Sequence, residues 1–404
     1  MEKSSQPTGT AFTLLSLLAL SHMFNDTLQS VIPAIYPLLK NSLALTFTQI
    51  GLITLVYQMS SSLFQPIIGI YTDKHPQPYS LPVGMTFSMM GVISLALATN
   101  FTHVLLAVFF TGLGSSIFHP EASRLAYLAS GGKHGLAQSI FQVGGNFGSS
   151  IGPLIALWII TPYGQKNVGG LAIIALLGIG IMLVISKWYK KNLVLLKTKK
   201  ESEKNIGDQN SINNTSLPRP KVVLAIGILL LLVFSKYVYM ASLTSYYTFY
   251  LINKFGVSID EAQIYLFAFL FAIAAGTIIG GPVGDRIGRK YVIWISILGT
   301  APFALLMPYA NLTWTCILSI FIGLILSSAF SAILIYAQEL VPGKVGLISG
   351  LFFGLAFGIA GIASAILGKI ADKTGIQYVY YLCSFLPLLG LVASFLPETK
   401  KRNK

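Results

Sequence analysis

His22, Asp26 and Gln29 stand at i, i+4 and i+7 in the run FTLLSLLALSHMFNDTLQSVIPA, a spacing that puts an imidazole, a carboxylate and an amide on one helix face, with Asn25 beside them. An imidazole one turn from a carboxylate can share a proton with it. In the middle of an apolar run such groups are expensive, about 2.5–3.5 kcal/mol for a charge at bilayer mid-depth, so they face a cavity or a partner. Asp26 lies about fourteen residues into the run, roughly 21 Å along a helix axis. A structural polar patch that glues this helix to a neighbour is the plain alternative.

A second group sits in SSIFHPEASRLAYLASGGKHGLAQSIFQVGGNFGSSIGP, residues 115–153. His119, Glu121 and Arg124 close one apolar run, and Pro120 is expected to break or kink it. Glu121 and Arg124 at i, i+3 can pair, either to close one end of the molecule or to handle a proton or ligand. Gln138, Gln142, Asn146 and Ser149 line the next run, where Gly144, Gly148 and Gly152 at four-residue spacing suit close helix contact. Gln58 and Gln65 repeat the polar pattern on the run between, and Lys236 and Tyr239 stand in a much later one. An unpaired lysine at mid-depth needs an acid, an anionic ligand or the loss of its proton.

The elements that must hold these groups are apolar helices. The 404 residues are 54% hydrophobic and 10% charged, with a mean hydropathy of +0.72, far too apolar for a soluble domain. At about twenty residues per span, the expected helices are 12–39, 48–71, 80–99, 103–125, 136–160, 168–187, 222–251, 261–283, 290–309, 312–338, 346–369 and 376–396. The fold class is therefore an all-α membrane protein of twelve transmembrane helices. The net charge of +14 is an orientation signal and not a nucleic-acid footprint, because 21 of the 27 Lys and Arg fall on one side of this topology, which places both termini in the cytoplasm. Residues 188–221, rich in Lys, Glu, Ser and Asn, are expected to form a flexible cytoplasmic linker against anionic lipid. Cys316 and Cys383 both fall in spans, so no disulfide framework is expected.

The two sides of that linker match. Ser21-His22 corresponds to Ser235-Lys236 and Gln49-Ile50 to Gln263-Ile264 at an offset of 214, which shrinks to 212 at Asp73 and Asp285 and 210 at Phe147-Gly148 and Phe357-Gly358. Residues 1–187 and 222–404 thus form two pseudo-symmetric six-helix halves, the parallel-repeat plan of secondary transporters, with a site between them. His22 and Lys236 become counterparts across the central axis. No HExxH motif, paired His and Cys spacing or soluble catalytic domain supports an enzyme.

The turn Gly281-Pro-Val-Gly-Asp285-Arg286-Ile-Gly288-Arg289-Lys290, with a partial copy at Gly69 to Pro78, resembles the cytoplasmic loop motif of the major facilitator superfamily. In the partial copy Pro76 and Pro78 replace the usual glycine and arginine. Gly148-Ser-Ser-Ile-Gly152-Pro153 resembles the antiporter motif without its closing glycine pair. SHMFND, FHPEASR and GGKHGLAQSIFQVGGNFGSSIGP are similar to the branch of that superfamily that confers resistance to the anionic phosphonate fosmidomycin. The resemblance implies a monomeric, multi-pass exporter of the bacterial inner membrane, driven by the proton gradient without a cofactor or metal. Its partners are a small-molecule substrate, protons and lipid. It also implies gating by Asp73, Asp285, Arg286 and Arg289. On that plan Asp26 is the first choice for the proton carrier and Glu121 the second, with His22 and His119 beside them. His22, Asn25, Gln29, Gln58, Gln65, Arg124, Gln138, Gln142, Asn146, Lys236 and Tyr239 are expected to hold substrate. The alternative is a carrier of an endogenous anionic metabolite with drug export as a side activity.

Overall fold

The computed structural model describes residues 11–131, 134–210, 218–341 and 345–397, and these residues form helices and turns without a strand. The helices that matter for the site are α1 (Phe12–Ala34), α2 (Phe47–Lys74), α3 (Ser80–Ala96), α4 (Phe101–Ala129), α5 (His134–Ile155), α6 (Ala172–Asn210), α7 (Arg219–Phe255), α8 (Ile259–Ile287), α9 (Arg289–Leu298), α10 (Leu312–Ser327) and α11 (Val345–Thr374). Nine helical stretches among the described residues are long and apolar enough to cross a membrane. α1 and α2, at 23 and 28 residues, fall outside that group because the polar residues that build the site dilute their hydropathy. α3 is apolar but short, at 17 residues.

Two expectations change. α4 runs through Pro120 without ending there. A proline inside a membrane helix removes one backbone hydrogen bond but is tolerated when neighbouring groups satisfy what it frees. α6 continues to Asn210, so the stretch expected as a flexible linker from 188 is helical as far as that residue. Its Lys, Glu and Leu content is helix-forming and holds no proline before Pro218.

The first half is organised by the packing of α1 on α5. A Cβ on Gly144 would sit 2.9 Å from the Ala19 Cα, one on Gly148 would sit 2.8 Å from the Met23 backbone, and one on Gly152 would sit 2.7 Å from the Ser30 backbone. The stripe at four-residue spacing is therefore a groove that receives the α1 backbone, the small-residue contact expected where no hydrophobic force separates helix from lipid. Thr27 Oγ1 donates across it to the Gly148 carbonyl at 3.2 Å. Gly145, one residue off the stripe, has no room either: its Cβ would lie 2.8 Å from Asp26 Oδ2 and against the His22 ring.

The halves meet along two lines, α2 beside α11 and α5 beside α8. Gly51 of α2 and Gly368 of α11 allow the first, since a Cβ on either would fall within 2.9 Å of backbone in the other helix. In the second, Asn146 Nδ2 donates to Thr277 Oγ1 at 2.9 Å.

These contacts predict that Gly148→Val disrupts the first half, because the added atoms meet backbone that cannot rotate away, at a cost above the about 1–3 kcal/mol typical of overpacking. Gly227→Ala, where nothing lies within 4 Å, is expected to leave thermal stability in detergent unchanged or slightly raised. Equal melting temperatures for the two variants would refute the groove.

Candidate functional site

The α1 triplet meets α4 and α5 at one point. His22 is 3% exposed, its ring stacked on Phe141 at a centroid distance of 4.0 Å. Its Nδ1 is 2.8 Å from the Phe141 carbonyl, and because a carbonyl only accepts, Nδ1 carries the proton. The other ring nitrogen, Nε2, then points at Asp26 Oδ2, 3.3 Å away, and at His119 Nε2, also 3.3 Å away. His119 repeats the arrangement from α4. Its Nδ1 lies 3.0 Å from the Ser115 carbonyl, and its Nε2 lies 3.5 Å from Asp26 Oδ1.

Both imidazoles are thus held in one tautomer by backbone carbonyls, and both present Nε2 to the same carboxylate. If both rings were neutral, two lone pairs and a carboxylate would face one another without a donor. The geometry holds together when a proton resides among these three groups. Asn25 Nδ2 adds a donor to Asp26 Oδ1 at 3.1 Å, and Ser88 in turn donates to Asn25 at 3.5 Å. The side chain of Asp26 keeps 17% of its surface accessible while its surroundings are closed. Two imidazoles and a carboxylate, with ligand atoms within 4.8 Å of one another, are also a donor set that a transition metal can use; as arranged here the same atoms bond to each other.

Behind His119 runs a polar chain. Ser115 Oγ lies 3.0 Å from His119 Nδ1 and donates to Gln29 Oε1 at 3.3 Å, while Ser61 donates to Ser115 at 3.0 Å and Tyr57 donates to the same Gln29 oxygen. The Gln29 amide nitrogen is buried with no hydrogen-bond partner among the described residues. Ser61 or Ser62 reads with Gln58 and Gln65 as part of the polar pattern of its helix, and the structure turns Ser61 toward Ser115; Tyr57 is not singled out by the sequence, because only its rotation toward Gln29 gives it a place.

The remaining expected residues divide. Glu121, 1% exposed, bonds to Arg124 at 3.1 Å, and Arg124 also donates to the Thr72 carbonyl at 2.9 Å, so this pair ties α4 to α2. Gln138 accepts from Ser123 at 3.1 Å. Gln65 is buried with an unpartnered amide nitrogen, and Gln58 lies where α2 meets Gly361 of α11. Gln142 is partly buried on α5. Tyr239 belongs to the buried apolar core. Arg289 opens α9 after Gly288, whose φ of 93° favours glycine. The side chains of Asp73, Asp285 and Arg286 lie outside the described residues.

Lys236 is 5% exposed on α7, its ammonium 5.6 Å from the Tyr237 ring centroid and 5.8 Å from that of Phe330. Among the described residues no carboxylate is within ion-pair distance of it, and Asp26 is committed to the two histidines. Aromatic rings continue from Lys236 toward the first half: Phe330 against Phe353 at 4.9 Å, Phe353 against Phe357 at 6.4 Å, and Phe357 against His119 at 6.3 Å. Lys236 in one half and the His22–Asp26–His119 cluster in the other are therefore joined by a run of aromatic rings. Apolar rings around the ammonium attract it weakly through their faces and leave its charge uncompensated.

The family model of the major facilitator superfamily matches residues 18–258 and 228–404. The chain is 58% identical to the fosmidomycin resistance protein of Escherichia coli K12, over 98% of this chain and 95% of that one. It is 44% identical to an uncharacterized MFS-type transporter, YfnC, of Bacillus subtilis, over 99% and 97% of the two chains. In structure it is similar to the nucleoside transporter NupG, with a TM-score of 0.71 at 13% identity over 95% of this chain and all of that one. It is also similar to a bacterial homolog of the human lysosomal transporter Spinster, with a TM-score of 0.70 at 15% identity over 97% and 95%. With the family model matched in both halves and a relative this similar over nearly its whole length, the chain is a multi-pass membrane transporter and belongs to the major facilitator superfamily.

Proposed function

We propose that this transporter uses the proton gradient to export small anions, fosmidomycin among them, across the bacterial inner membrane by alternating access of its central site. The observation that carries the reading is the pairing of the His22–Asp26–His119 cluster in the first half with the acid-free Lys236 in the second. The 58% identical relative bears the name of the drug, which supports the substrate. Twelve spans with both termini in the cytoplasm, and a monomer of two halves, complete the proposal.

The chemistry follows from charge. Lys236 offers an anion a partner, and the rings of Tyr237 and Phe330 beside it reduce water there, which strengthens the attraction. In the other half, loss of the shared proton leaves three acceptors facing one another, and gain of it joins them. One proton therefore changes how well α1 and α4 pack, which gives a gradient a differential purchase on the two orientations of the site. Glu121 is held by Arg124 and serves as the closure of that end, with Asp26 as the carrier.

In inverted vesicles, fosmidomycin uptake is expected to require a pH gradient and to collapse when it is dissipated; gradient-independent uptake would defeat the coupling. Asp26→Asn keeps the shape of the side chain but cannot take up the proton. It is expected to abolish gradient-driven accumulation while leaving substrate counterflow, and full accumulation in this variant would show Asp26 to be structural. Lys236→Gln removes a charged hydrogen-bond donor worth about 1.5–3 kcal/mol, so the KM for fosmidomycin should rise about 10- to 100-fold with the protein still folded. An unchanged KM would mean that the anion binds elsewhere.

A further inference from the structure

A helix leaves its first backbone N–H groups without internal partners, and the start of α2 shows where each of them goes. Thr46 and Gln49 form a capping box: Gln49 N donates to Thr46 Oγ1 at 3.1 Å and Thr46 N donates to Gln49 Oε1 at 2.9 Å. Ile50 N begins the regular ladder on the Thr46 carbonyl. Two donors remain, and both go to the other half of the molecule. Phe47 N donates to Asp372 Oδ1 at 2.8 Å and Thr48 N to Asp372 Oδ2 at 2.7 Å, with Thr48 Oγ1 adding a third bond to Oδ2 at 2.5 Å.

The matching helix of the second half is built differently. α8 begins with its own capping box, Ser258 with Glu261, and has Asp260 and Glu261 in its first turn. The first turn of α2 has no acidic residue. The positive end of the α2 dipole is therefore neutralised by a carboxylate borrowed from α11, where charge-assisted bonds are about twice as strong as neutral ones. The other cross-half bonds at this end, Thr54 to Ser245 at 3.4 Å and Gln263 to the Ala34 carbonyl, involve uncharged groups.

We propose that Asp372 is a gating residue: its carboxylate latches the halves together at the end predicted to face away from the cytoplasm, and it must release the start of α2 each time the site opens to that side. The proposal rests on the rocking of halves proposed above. Asp372 is exposed, so on release water can take over the freed N–H groups and the carboxylate. That makes the latch reversible, unlike a buried ion pair. Because two of the three donors are backbone, most of the strength of the latch is set from the α11 side, and the Thr48 hydroxyl adds the rest from α2. The latch sits at the start of α2, the opposite end of that helix from the motif that begins at Gly69, so each end would have its own polar lock.

The test is a pulsed electron-spin distance measurement on the full chain in lipid nanodiscs, with spin labels at Ser42 and Tyr378, both exposed and in different halves, and with Cys316 and Cys383 changed to Ala. The parent protein should show a short and a long distance whose ratio responds to fosmidomycin or pH. Asp372→Ala and Asp372→Asn should raise the long population about tenfold, the scale of one charge-assisted hydrogen bond, and Thr48→Val, which removes only the hydroxyl bond, should raise it less. Asp372→Glu should restore part of the short population. If the parent shows two populations and neither Asp372 variant nor Thr48→Val shifts them, the latch is refuted while rocking stands. A single distance under every condition in the parent overturns rocking and the latch together.

Discussion

An ionisable side chain in the hydrocarbon-depth part of a helical bundle has to be given partners, and this constraint explains more of the molecule than any other. Asp26 is the case in point. The bundle surrounds it with Asn25, His22 and His119, then fixes both imidazoles from behind with the carbonyls of Phe141 and Ser115. That arrangement needs α1 to lie against α5 closely enough for the His22 ring to cover Phe141, which is why Gly144, Gly145 and Gly148 carry no side chain where they pass it. Close packing in the first half is thus part of the site as well as its scaffold.

The second half answers the same constraint in the opposite way. Lys236 is nearly as buried as His22, yet among the described residues it is placed beside rings and given no acid. If Lys236 keeps its proton there, burial raises the energy of that charge, and an anion placed beside it would lower it by more than it could in water. Two histidines and a carboxylate stand together in one half, and a buried lysine stands among aromatic rings in the other.

Much of this was legible in the sequence. The placement of apolar helices, the His22–Asp26 spacing, the burial of Lys236 and the packing role of Gly144, Gly148 and Gly152 all follow from periodicity and from the cost of polarity in lipid. What was not legible depends on rotation and on contacts far apart in the chain. His119 lies 97 residues from His22, and nothing in its own segment says that its Nε2 reaches Asp26. Pro120 signals an end to α4, but the surrounding helices carry it on to Ala129. Glu121 and Arg124 pair as their spacing allows, but nothing in the sequence puts the Thr72 carbonyl beside Arg124 or Thr277 across the halves from Asn146. A polar side chain in a membrane helix can face a ligand or a neighbour, and sequence spacing fixes its face without fixing what lies opposite.

The same limit hid Asp372. In sequence it is one acid near the end of an apolar helix, between Lys369 and Lys373, where it reads as interfacial charge. Its meaning comes from the first turn of α2, 325 residues away, which has a neutral capping box and two donors to spare. Had that turn carried its own acid, as α8 does, the donors would be neutralised within the half and the carboxylate would face water. The absence of charge in one segment is thus as informative as its presence in another. In a two-half carrier, a helix end that is satisfied across the divide gains nothing from its own half when the divide opens, so the energy of that end depends on which way the molecule faces. A terminus capped from within is indifferent to the motion, and only the borrowed cap can report it.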